Sequence, residues 1–331
     1  PFLPILISKA LKSNNKLFLI LRDDKQLNDI EKSILTSNPE CKIISIPSWD
    51  TIPYDISSPN IQLLGIRMKS ITNLINDDFT NDQLLILTTF NALSIKNAPI
   101  DFYKDLFIEI SPLKKISIIS LRNFLIDLGY KKVSTVRENC EFSIRGDILD
   151  LFNNGDTNPI RLYFNDDIIE KIYFFDPLSQ RNFTKKKVVD SFLIYCSSEI
   201  LLNQKNIDFF KESYSNLFDI DLKNDDFYNN ILIGHKIKGL EYFLKLFFNN
   251  NLSNIFEVID NNFSLKNTKF LIYDNTIVNF VNHYKFINEH YNRRKESGLN
   301  ILPPNDIFLT DKEILSYFKK LNFVTISDLN H

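Results

Sequence analysis

The sequence is poor in glycine, cysteine and methionine, and these shortages exclude several kinds of site. Of 331 residues, 7 are glycine, 3 are cysteine and 1 is methionine. Cys41, Cys140 and Cys196 are far apart and odd in number. Neither a disulfide scaffold nor a cysteine-based metal site is therefore expected, and the pattern suits a reducing compartment.

Long apolar runs and a surplus of positive charge are missing as well. No apolar run approaches the roughly 18 residues that a membrane-spanning helix requires. The net charge is −2, from 39 basic and 41 acidic residues, so no general basic field draws the chain to nucleic acid. We therefore expect a cytoplasmic protein, in which direct DNA binding would need a local basic patch.

What the chain has in quantity is material for hydrophobic cores. Hydrophobic residues make up 44% of the sequence, and 29 Phe and 13 Tyr are among them. A chain of 331 residues is expected to form two or three domains. Because the first residue is Pro1 rather than Met, we expect the natural N-terminus to be missing or processed.

Residues 1–110 alternate between helix-like and strand-like segments. Three apolar runs of strand length occur there: Lys16–Leu21, Lys42–Pro47 and Gln83–Thr89. Strands that alternate with helices favour a parallel sheet with helices packed on it. Residues 191–331 return to this pattern, with a buried strand that begins at Lys269.

In residues 111–190, apolar residues recur with a different period. One helix, which Gly129 ends, precedes a series of short segments in which apolar and polar residues alternate by two. The short links between them leave no room for crossovers, so an antiparallel sheet is predicted. The predicted architecture is an α/β domain, residues 1–110 and 191–331, which an inserted α+β domain, residues 111–190, interrupts.

One pair of glycines has the spacing of a nucleotide-binding phosphate loop. Such a loop needs a lysine and a serine or threonine directly after its second glycine. Gly234 and Gly239 are followed by Leu240 and Glu241 instead, and no Asp-Glu pair of helicase type follows an apolar strand. We therefore predict that this chain binds no cofactor and does not hydrolyse ATP. The segment Gly239–Phe248 is predicted to be a helix, and Gly298–Thr310 an extended crossing.

Histidine chemistry finds no support in the spacing of the four histidines. His283 and His290 lie seven residues apart on one predicted helix. Zinc-binding helices place their two ligands four residues apart. A solvent-facing helix surface is the interpretation that we favour for both residues. No catalytic residue and no metal site are predicted.

Two arginines, Arg145 and Arg161, occupy strands of the predicted antiparallel sheet. In the segment EFSIR, Arg145 shares a face with Ser143, and in IRLYFN, Arg161 shares a face with Tyr163 and Asn165. The opposite face is apolar and suits burial under the preceding helix. Arginine and tyrosine dominate binding hot spots, so the polar face is a candidate partner-binding surface.

A plainer interpretation of this polar face stays open and is favoured by the pattern alone. Surface charges often form ion pairs that have no functional role. Three acidic residues are close enough in sequence to pair across the strands with the arginines: Asp147, Asp150 and Glu170.

Five stretches, taken in order, resemble a known family. They are SWDTIPYD with the SSP that follows, IRGDILDLF, PIRLYFNDD, FDPLSQR and GLNILPP, and they extend over nearly the whole chain. In this order they resemble the N-terminal, UvrB-like module of bacterial transcription-repair coupling factors (Mfd). The excision-repair helicase UvrB has a related module, with an intact phosphate loop and a DNA-gripping hairpin. Here Tyr54 and Asp55 lead almost directly into a predicted helix, which leaves no room for that hairpin.

The resemblance implies a degenerate, helicase-like α/β domain whose inserted domain binds UvrA. UvrA is the damage-recognising ATPase of nucleotide excision repair. The family's UvrA-contacting arginines fall on Arg145 and Arg161. A third contact, an aromatic residue in the family, falls on Asn165, so Tyr163 or Phe164 is expected to supply the apolar contact.

The resemblance also implies that domains which follow this module in the family carry out the other activities. Those domains bind RNA polymerase and DNA and use ATP and Mg²⁺ for translocation, and a C-terminal domain masks the UvrA-binding face. This chain is expected to be a non-catalytic recruitment module in which that face is open. A truncated UvrB-like ATPase that binds DNA is the alternative.

Overall fold

The structure of the chain is a computed structural model that describes residues 2–13, 16–55, 57–77, 79, 83–183, 189–218, 222–263, 265, 268–273 and 275–326. The strands, in chain order, are β1 (Lys16–Leu21), β2 (Lys42–Ile46), β3 (Leu84–Thr89), β4 (Phe107–Ile110), β5 (Lys131–Lys132), β6 (Glu141–Arg145), β7 (Ile148–Phe152), β8 (Ile160–Asn165), β9 (Ile168–Phe174), β10 (Phe192–Tyr195), β11 (Lys269–Tyr273) and β12 (Asn322–Ile326).

The helices are α1 (Phe2–Ser13), α2 (Asp24–Ser37), α3 (Ile61–Asn76), α4 (Phe90–Ser94), α5 (Ile100–Asp105), α6 (Ile118–Asp127), α7 (Gln204–Leu217), α8 (Asp226–Leu232), α9 (Ile255–Phe263), α10 (Thr276–Glu296), α11 (Pro304–Ile307) and α12 (Asp311–Phe318). Short 3-10 helices add to them at Leu222–Asn224 and Leu240–Phe247.

A parallel sheet of five strands forms the centre of the α/β unit, in the order β12-β11-β1-β3-β2. Side chains of β1 alternate between its two faces. Leu17 and Leu19 share a core with α1 and α2, whereas Phe18 and Ile20 share a core with α3 and α10. A strand buried on both faces is an almost continuous apolar run, as β1 is from Leu17 to Leu21. The predicted α/β fold class is confirmed.

The inserted unit begins and ends with a pair of antiparallel strands. β4 leads the chain out of the α/β unit and pairs with β10, which leads it back. Between them, β6, β7, β8 and β9 are successive antiparallel neighbours. The short β5 runs parallel to β6, so the predicted antiparallel arrangement does not extend to this edge. The loop over residues 133–140 carries the chain back before β6 begins, and this return sets the parallel direction.

Helix α6 covers one face of this second sheet, which we call the inner face. Leu121 and Leu125 of α6 are fully buried in one core with Leu149, Leu151 and Leu162 of the sheet. Apolar residues at every second strand position therefore lie beneath the helix, as their period of two predicts. The opposite side, the outer face, carries the two arginines.

A third group of helices has an aromatic core of its own. The ring of Phe210 in α7 lies 6.1 Å from that of Tyr228 in α8, and the ring of Tyr214 lies 5.5 Å from the same tyrosine. Aromatic pairs at such separations contribute more than their buried area alone. The abundance of Phe and Tyr in the sequence is thus used partly in a helical layer that the strand patterns did not indicate.

Two predictions for the last third of the chain need correction. The helix expected over Gly239–Phe248 is a 3-10 helix, and Gly239 precedes it in the left-handed conformation, with φ of 78°. Its eight residues exceed the usual length of a 3-10 run, and six of its side chains are buried, so packing in the surrounding core decides this winding. The extended crossing expected over Gly298–Thr310 contains the short helix α11, whose first residue, Pro304, has the backbone angle that a helix start needs.

One stripe along α3 joins the α/β unit to the inserted unit. Gly65, Lys69 and Asn73 are spaced by four residues and therefore lie on one side of the helix. Lys69 Nζ lies 3.0 Å from Asp156 Oδ1, and Asn73 Oδ1 accepts a hydrogen bond of 3.0 Å from the Tyr195 hydroxyl. At Gly65 the two backbones touch, since a Cβ there would lie 2.3 Å from the amide nitrogen of Gly155.

Two buried asparagines make the turn that meets α3 rigid. The side chain of Asn153 accepts a hydrogen bond from the Tyr130 hydroxyl at 2.7 Å and donates one to the Leu193 carbonyl at 2.9 Å. Asn154 donates to the carbonyls of Cys196 and Ser197 at 3.1 and 2.8 Å. The segment NNGDTNP, which looks like a simple turn in the sequence, is therefore the joint between the two units.

This joint predicts that Gly155→Ala destabilises the chain more than Gly234→Ala does. The two glycines have left-handed φ values of 72° and 78°, so each substitution costs about 1 kcal/mol in backbone strain. At Gly155 alone of this pair, the new Cβ would lie 2.5 Å from the Gly65 carbonyl carbon, and such overpacking adds roughly 1–3 kcal/mol. Thermal denaturation should show a clearly lower melting temperature for the Gly155 variant. Equal melting temperatures would contradict a structural role for the contact.

Candidate partner-binding surface

Two rows of residues cross the outer face, with one residue from each of the four antiparallel strands. The covered row consists of Ser143, Asp150, Arg161 and Tyr173. The exposed row, which lies nearer to the turn between β6 and β7, consists of Arg145, Ile148, Tyr163 and Lys171. The strand register therefore places the two arginines in neighbouring rows.

A buried carboxylate joins the two rows. Asp150 has no exposed side-chain surface, and its Oδ1 accepts a hydrogen bond of 2.6 Å from Arg161 Nε. Its Oδ2 accepts hydrogen bonds from Arg161 Nη2 at 2.9 Å and from Arg145 Nη2 at 2.6 Å. A buried charge persists only where it is paired and hydrogen-bonded, and here one anion serves two cations. The cross-strand ion pairs of the plainer interpretation are thus present, with Asp150 as the acid.

Arg161 is largely enclosed by the residues around it. Only 11% of its side chain is exposed. Its Nη1 donates to the Gln180 carbonyl at 3.1 Å and to Asn182 Oδ1 at 3.3 Å, and its guanidinium carbon lies 4.6 Å from the centre of the Phe175 ring. The hydrogen bond to Asp150 raises the pKa of Arg161 above its ordinary value, so this arginine stays charged.

The segment FDPLSQR, residues 175–181, folds over the covered row and is itself held in place. Gln180 Nε2 donates to the Val136 carbonyl at 3.0 Å, and Phe175 packs with Val136 and Phe152 in a small core on the outer face. The Asp176 carboxylate accepts backbone hydrogen bonds within the turn, chiefly from Ser179, which lowers its pKa. Ser143, Asp150 and Arg161 of the covered row are therefore largely enclosed, and a partner finds more accessible surface at the exposed row.

The exposed row presents charge next to apolar surface. Half of the Arg145 side chain, 51%, is exposed, and Ile148 and Tyr163 follow it as half-buried neighbours. The Tyr163 hydroxyl accepts a hydrogen bond of 3.0 Å from Asn182 Nδ2, which fixes the ring. Lys171 ends the row, half exposed. An arginine and a tyrosine held beside an isoleucine form the kind of surface that binding partners use.

The structure does not place Phe164 on this surface. Phe164 is 7% exposed and belongs to the inner core, so its expected contact with a partner is contradicted by the alternation of side chains along β8. Asn165 is exposed and lies opposite Ile168, of which 42% is exposed. A bulge between Tyr163 and Phe164 shifts the pairing with β9 at this point. Tyr163 and Ile168 are therefore the surface apolar residues next to Asn165.

Sequence reasoning identified both arginines but not how they are linked. Asp150 was one of three acids considered for ion pairs, and its place on the outer face follows from the alternation in β7. Its position directly opposite Arg161 depends on strand register, which the pattern of one strand does not contain. The roles of Gln180 and Asn182 were missed; Gln180 belongs to the motif FDPLSQR, which was the signal for it, and Asn182 directly follows that motif.

The position where a phosphate loop would precede a helix is filled by carboxylates. Asp23 follows β1 closely, and its side chain accepts a hydrogen bond of 2.8 Å from the Gln26 amide at the start of α2. The Asp24 carboxylate accepts the Ser48 amide at 3.0 Å. A phosphate would need free amide groups and positive potential at this helix start, and two carboxylates oppose both requirements.

The glycine pair with phosphate-loop spacing lies in another setting. Gly234 follows helix α8 rather than a strand, with its amide hydrogen-bonded to the Ile231 carbonyl at 2.9 Å. The Gly239 amide donates to the Ser58 hydroxyl at 2.9 Å. Strand-to-helix geometry, on which such a loop depends, is therefore missing at this pair.

The histidine prediction needs one correction. His283 is half-buried, with its ring 5.8 Å from that of Phe90, so it does not lie on a solvated surface. Burial lowers the pKa of His283 to about 4 and keeps it neutral near pH 7. Among the described residues, no group of three or more potential metal ligands is assembled. Within the same residues, no helix combines the length and apolar character of a membrane span.

Comparisons with known proteins agree with this architecture. Residues 108–199 match the family described as the UvrB interaction domain, and this range contains the outer face. The chain is 27% identical to the transcription-repair-coupling factor of Rickettsia conorii over 97% of the chain and 28% of the relative. The corresponding protein of Escherichia coli is 26% identical over 84% of the chain and 23% of the relative. The chain thus spans about a quarter of the length of these relatives, and the predicted resemblance to the N-terminal module of the family is confirmed.

The different burial of the two arginines predicts different effects on stability. Arg161→Ala removes the bidentate partner of a buried carboxylate and should cost about 2–4 kcal/mol, whereas Arg145→Ala leaves that pair intact and should cost about 1 kcal/mol or less. Thermal denaturation of the full chain measures the difference. Arg122→Ala, on helix α6, is the matched control and should be neutral. Equal losses for Arg145 and Arg161 would contradict the shared-carboxylate arrangement.

Proposed function

We propose, from the similarity to transcription-repair-coupling factors, that this chain is a non-catalytic module that recruits UvrA to RNA polymerase stalled at DNA damage. The observation that carries the proposal is the place of the exposed row. It lies on the unit that matches the UvrB interaction domain, on the side of the sheet that no helix covers among the described residues.

Recognition in this proposal depends on Arg145 and the apolar residues next to it. The half-exposed guanidinium can form forked hydrogen bonds with a carboxylate of the partner. Ile148, Tyr163 and Ile168 provide apolar area beside that charge. A face of this size suits a transient complex that buries roughly 800 Å² per partner or less.

We assign the other activities of such a factor to the part of the relatives that this chain does not match. Contacts with RNA polymerase and DNA, translocation with ATP and Mg²⁺, and masking of the UvrA-binding face by a C-terminal domain belong there in our proposal. The module itself works in the cytoplasm as a platform for UvrA.

The absence of nucleotide hydrolysis in this chain is also part of the proposal. The carboxylates of Asp23 and Asp24 at the start of α2 support it, because they occupy amide groups and disfavour an anion. They equally weigh against a truncated UvrB-like ATPase. The net charge of −2 weighs against a general DNA-binding module.

The first prediction from this proposal concerns UvrA affinity. Arg145→Ala should weaken binding of purified UvrA by about 30-fold, because truncation of a hot-spot arginine costs about 2 kcal/mol. Isothermal calorimetry or surface plasmon resonance measures the change. Arg122→Ala is the control and should bind like the unaltered chain, because α6 lies on the other side of the sheet. No binding by the unaltered chain, or equal binding by the Arg145 variant, would refute the proposal.

The second prediction concerns nucleotides. Addition of millimolar ATP with Mg²⁺ should leave the melting temperature of the chain unchanged, because a ligand raises it only by binding the folded state. Phosphate release should stay at the level of a buffer blank. A melting temperature that rises with ATP concentration would instead favour the truncated-ATPase alternative.

A further inference from the structure

We infer that Asp150 and Arg161 serve partner recognition as positioning residues, and that Arg145 makes the contact with an acidic side chain of the partner. The inference rests on the proposed function and divides the roles of the two arginines within it. Both arginines were expected to touch the partner, and the geometry of the shared carboxylate favours only one.

The two arginines differ in how easily a partner can reach them. The three guanidinium nitrogens of Arg161 are all engaged within the chain, with Asp150, the Gln180 carbonyl and Asn182 as acceptors. Only 11% of this side chain is exposed, against 51% for Arg145. A partner could reach Arg161 only after the segment FDPLSQR had moved away, whereas Arg145 is reachable as it stands.

The cluster of Asp150, Arg145 and Arg161 also exposes its positive charge at Arg145. Two guanidinium groups share one buried carboxylate, so the three side chains together carry a net positive charge. The positive charge of Arg161 is enclosed together with Asp150, and that of Arg145 faces solvent. The side chain that best complements it is a carboxylate, which an arginine fork binds with charge-assisted hydrogen bonds.

The shared carboxylate further prepares Arg145 for binding. A free arginine side chain loses much rotational freedom when a partner fixes it, and this loss weakens binding. Asp150 Oδ2 already holds Arg145 Nη2 at 2.6 Å, and Arg161 fixes Asp150 through both carboxylate oxygens. Removal of Arg161 should therefore loosen Arg145, although Arg161 itself touches nothing outside the chain in this scheme.

A double-mutant cycle on UvrA affinity tests the inference. Arg145→Ala should weaken binding by about 30-fold, and Arg161→Ala or Asp150→Asn by about 3- to 10-fold. When either is combined with Arg145→Ala, the loss should stay within about twofold of that for Arg145→Ala alone. Multiplying losses would overturn the inference, because they would mean that Arg161 makes its own contact. Arg161→Lys, which keeps a cation beside Asp150, should recover part of the affinity.

A second measurement needs no partner and covers the case in which a variant is too unstable for the cycle. Nuclear magnetic relaxation of the arginine Nε–H group should show an ordered Arg145 side chain in the unaltered chain. The same group should be mobile in Asp150→Asn, which removes the charge that holds it, with the rest of the spectrum preserved. A mobile Arg145 in the unaltered chain would overturn the positioning role. Failure of the unaltered chain to bind UvrA would refute the proposed function and, with it, the contact assigned to Arg145.

Discussion

The contact between the backbones of Gly65 and Gly155 is the constraint on which the arrangement of the two units depends. A helix of the parallel-sheet unit and a turn of the inserted unit approach so closely that neither position accommodates a Cβ. Buried Asn153 and Asn154 hold that turn from the other side, with hydrogen bonds to β10, which returns the chain to the α/β unit, and to the two residues that follow β10. The two units therefore share one rigid joint, and the outer face has a defined direction relative to the parallel sheet.

Within the inserted unit, one buried carboxylate organises the candidate surface. Asp150 could not stay buried and charged without cations, and the two arginines opposite and beside it provide them. A partner can therefore reach the two arginines to different extents, because Arg161 is enclosed by FDPLSQR and Arg145 keeps half of its side chain in solvent. Stability and recognition thus share a single cluster, in which the buried part supports the exposed part.

The first unit is a parallel sheet with helices packed on it, an arrangement that in many proteins binds phosphate at the start of the helix after a strand, but here the start of α2 carries carboxylates. Asp23 caps the helix, and Asp24 ties it to Ser48 after β2. The same interactions that stabilise this edge of the sheet disfavour an anion there. In the proposed function, the α/β unit is accordingly a scaffold for the inserted unit.

Much of this fold could be predicted from the sequence, and the reasons are local. Continuous apolar runs determined β1 and β3, alternation by two determined the second sheet, and ordered motifs indicated the family. The 3-10 helix at Leu240–Phe247 and the burial of His283 were not predictable, because packing against distant residues decides both. The sequence by itself determined that Arg145 and Arg161 share one face of a sheet. Only the tertiary structure decided which of them is exposed, because strand register sets Arg161 opposite Asp150 and Arg145 in the next row, and a later segment folds over Arg161 alone.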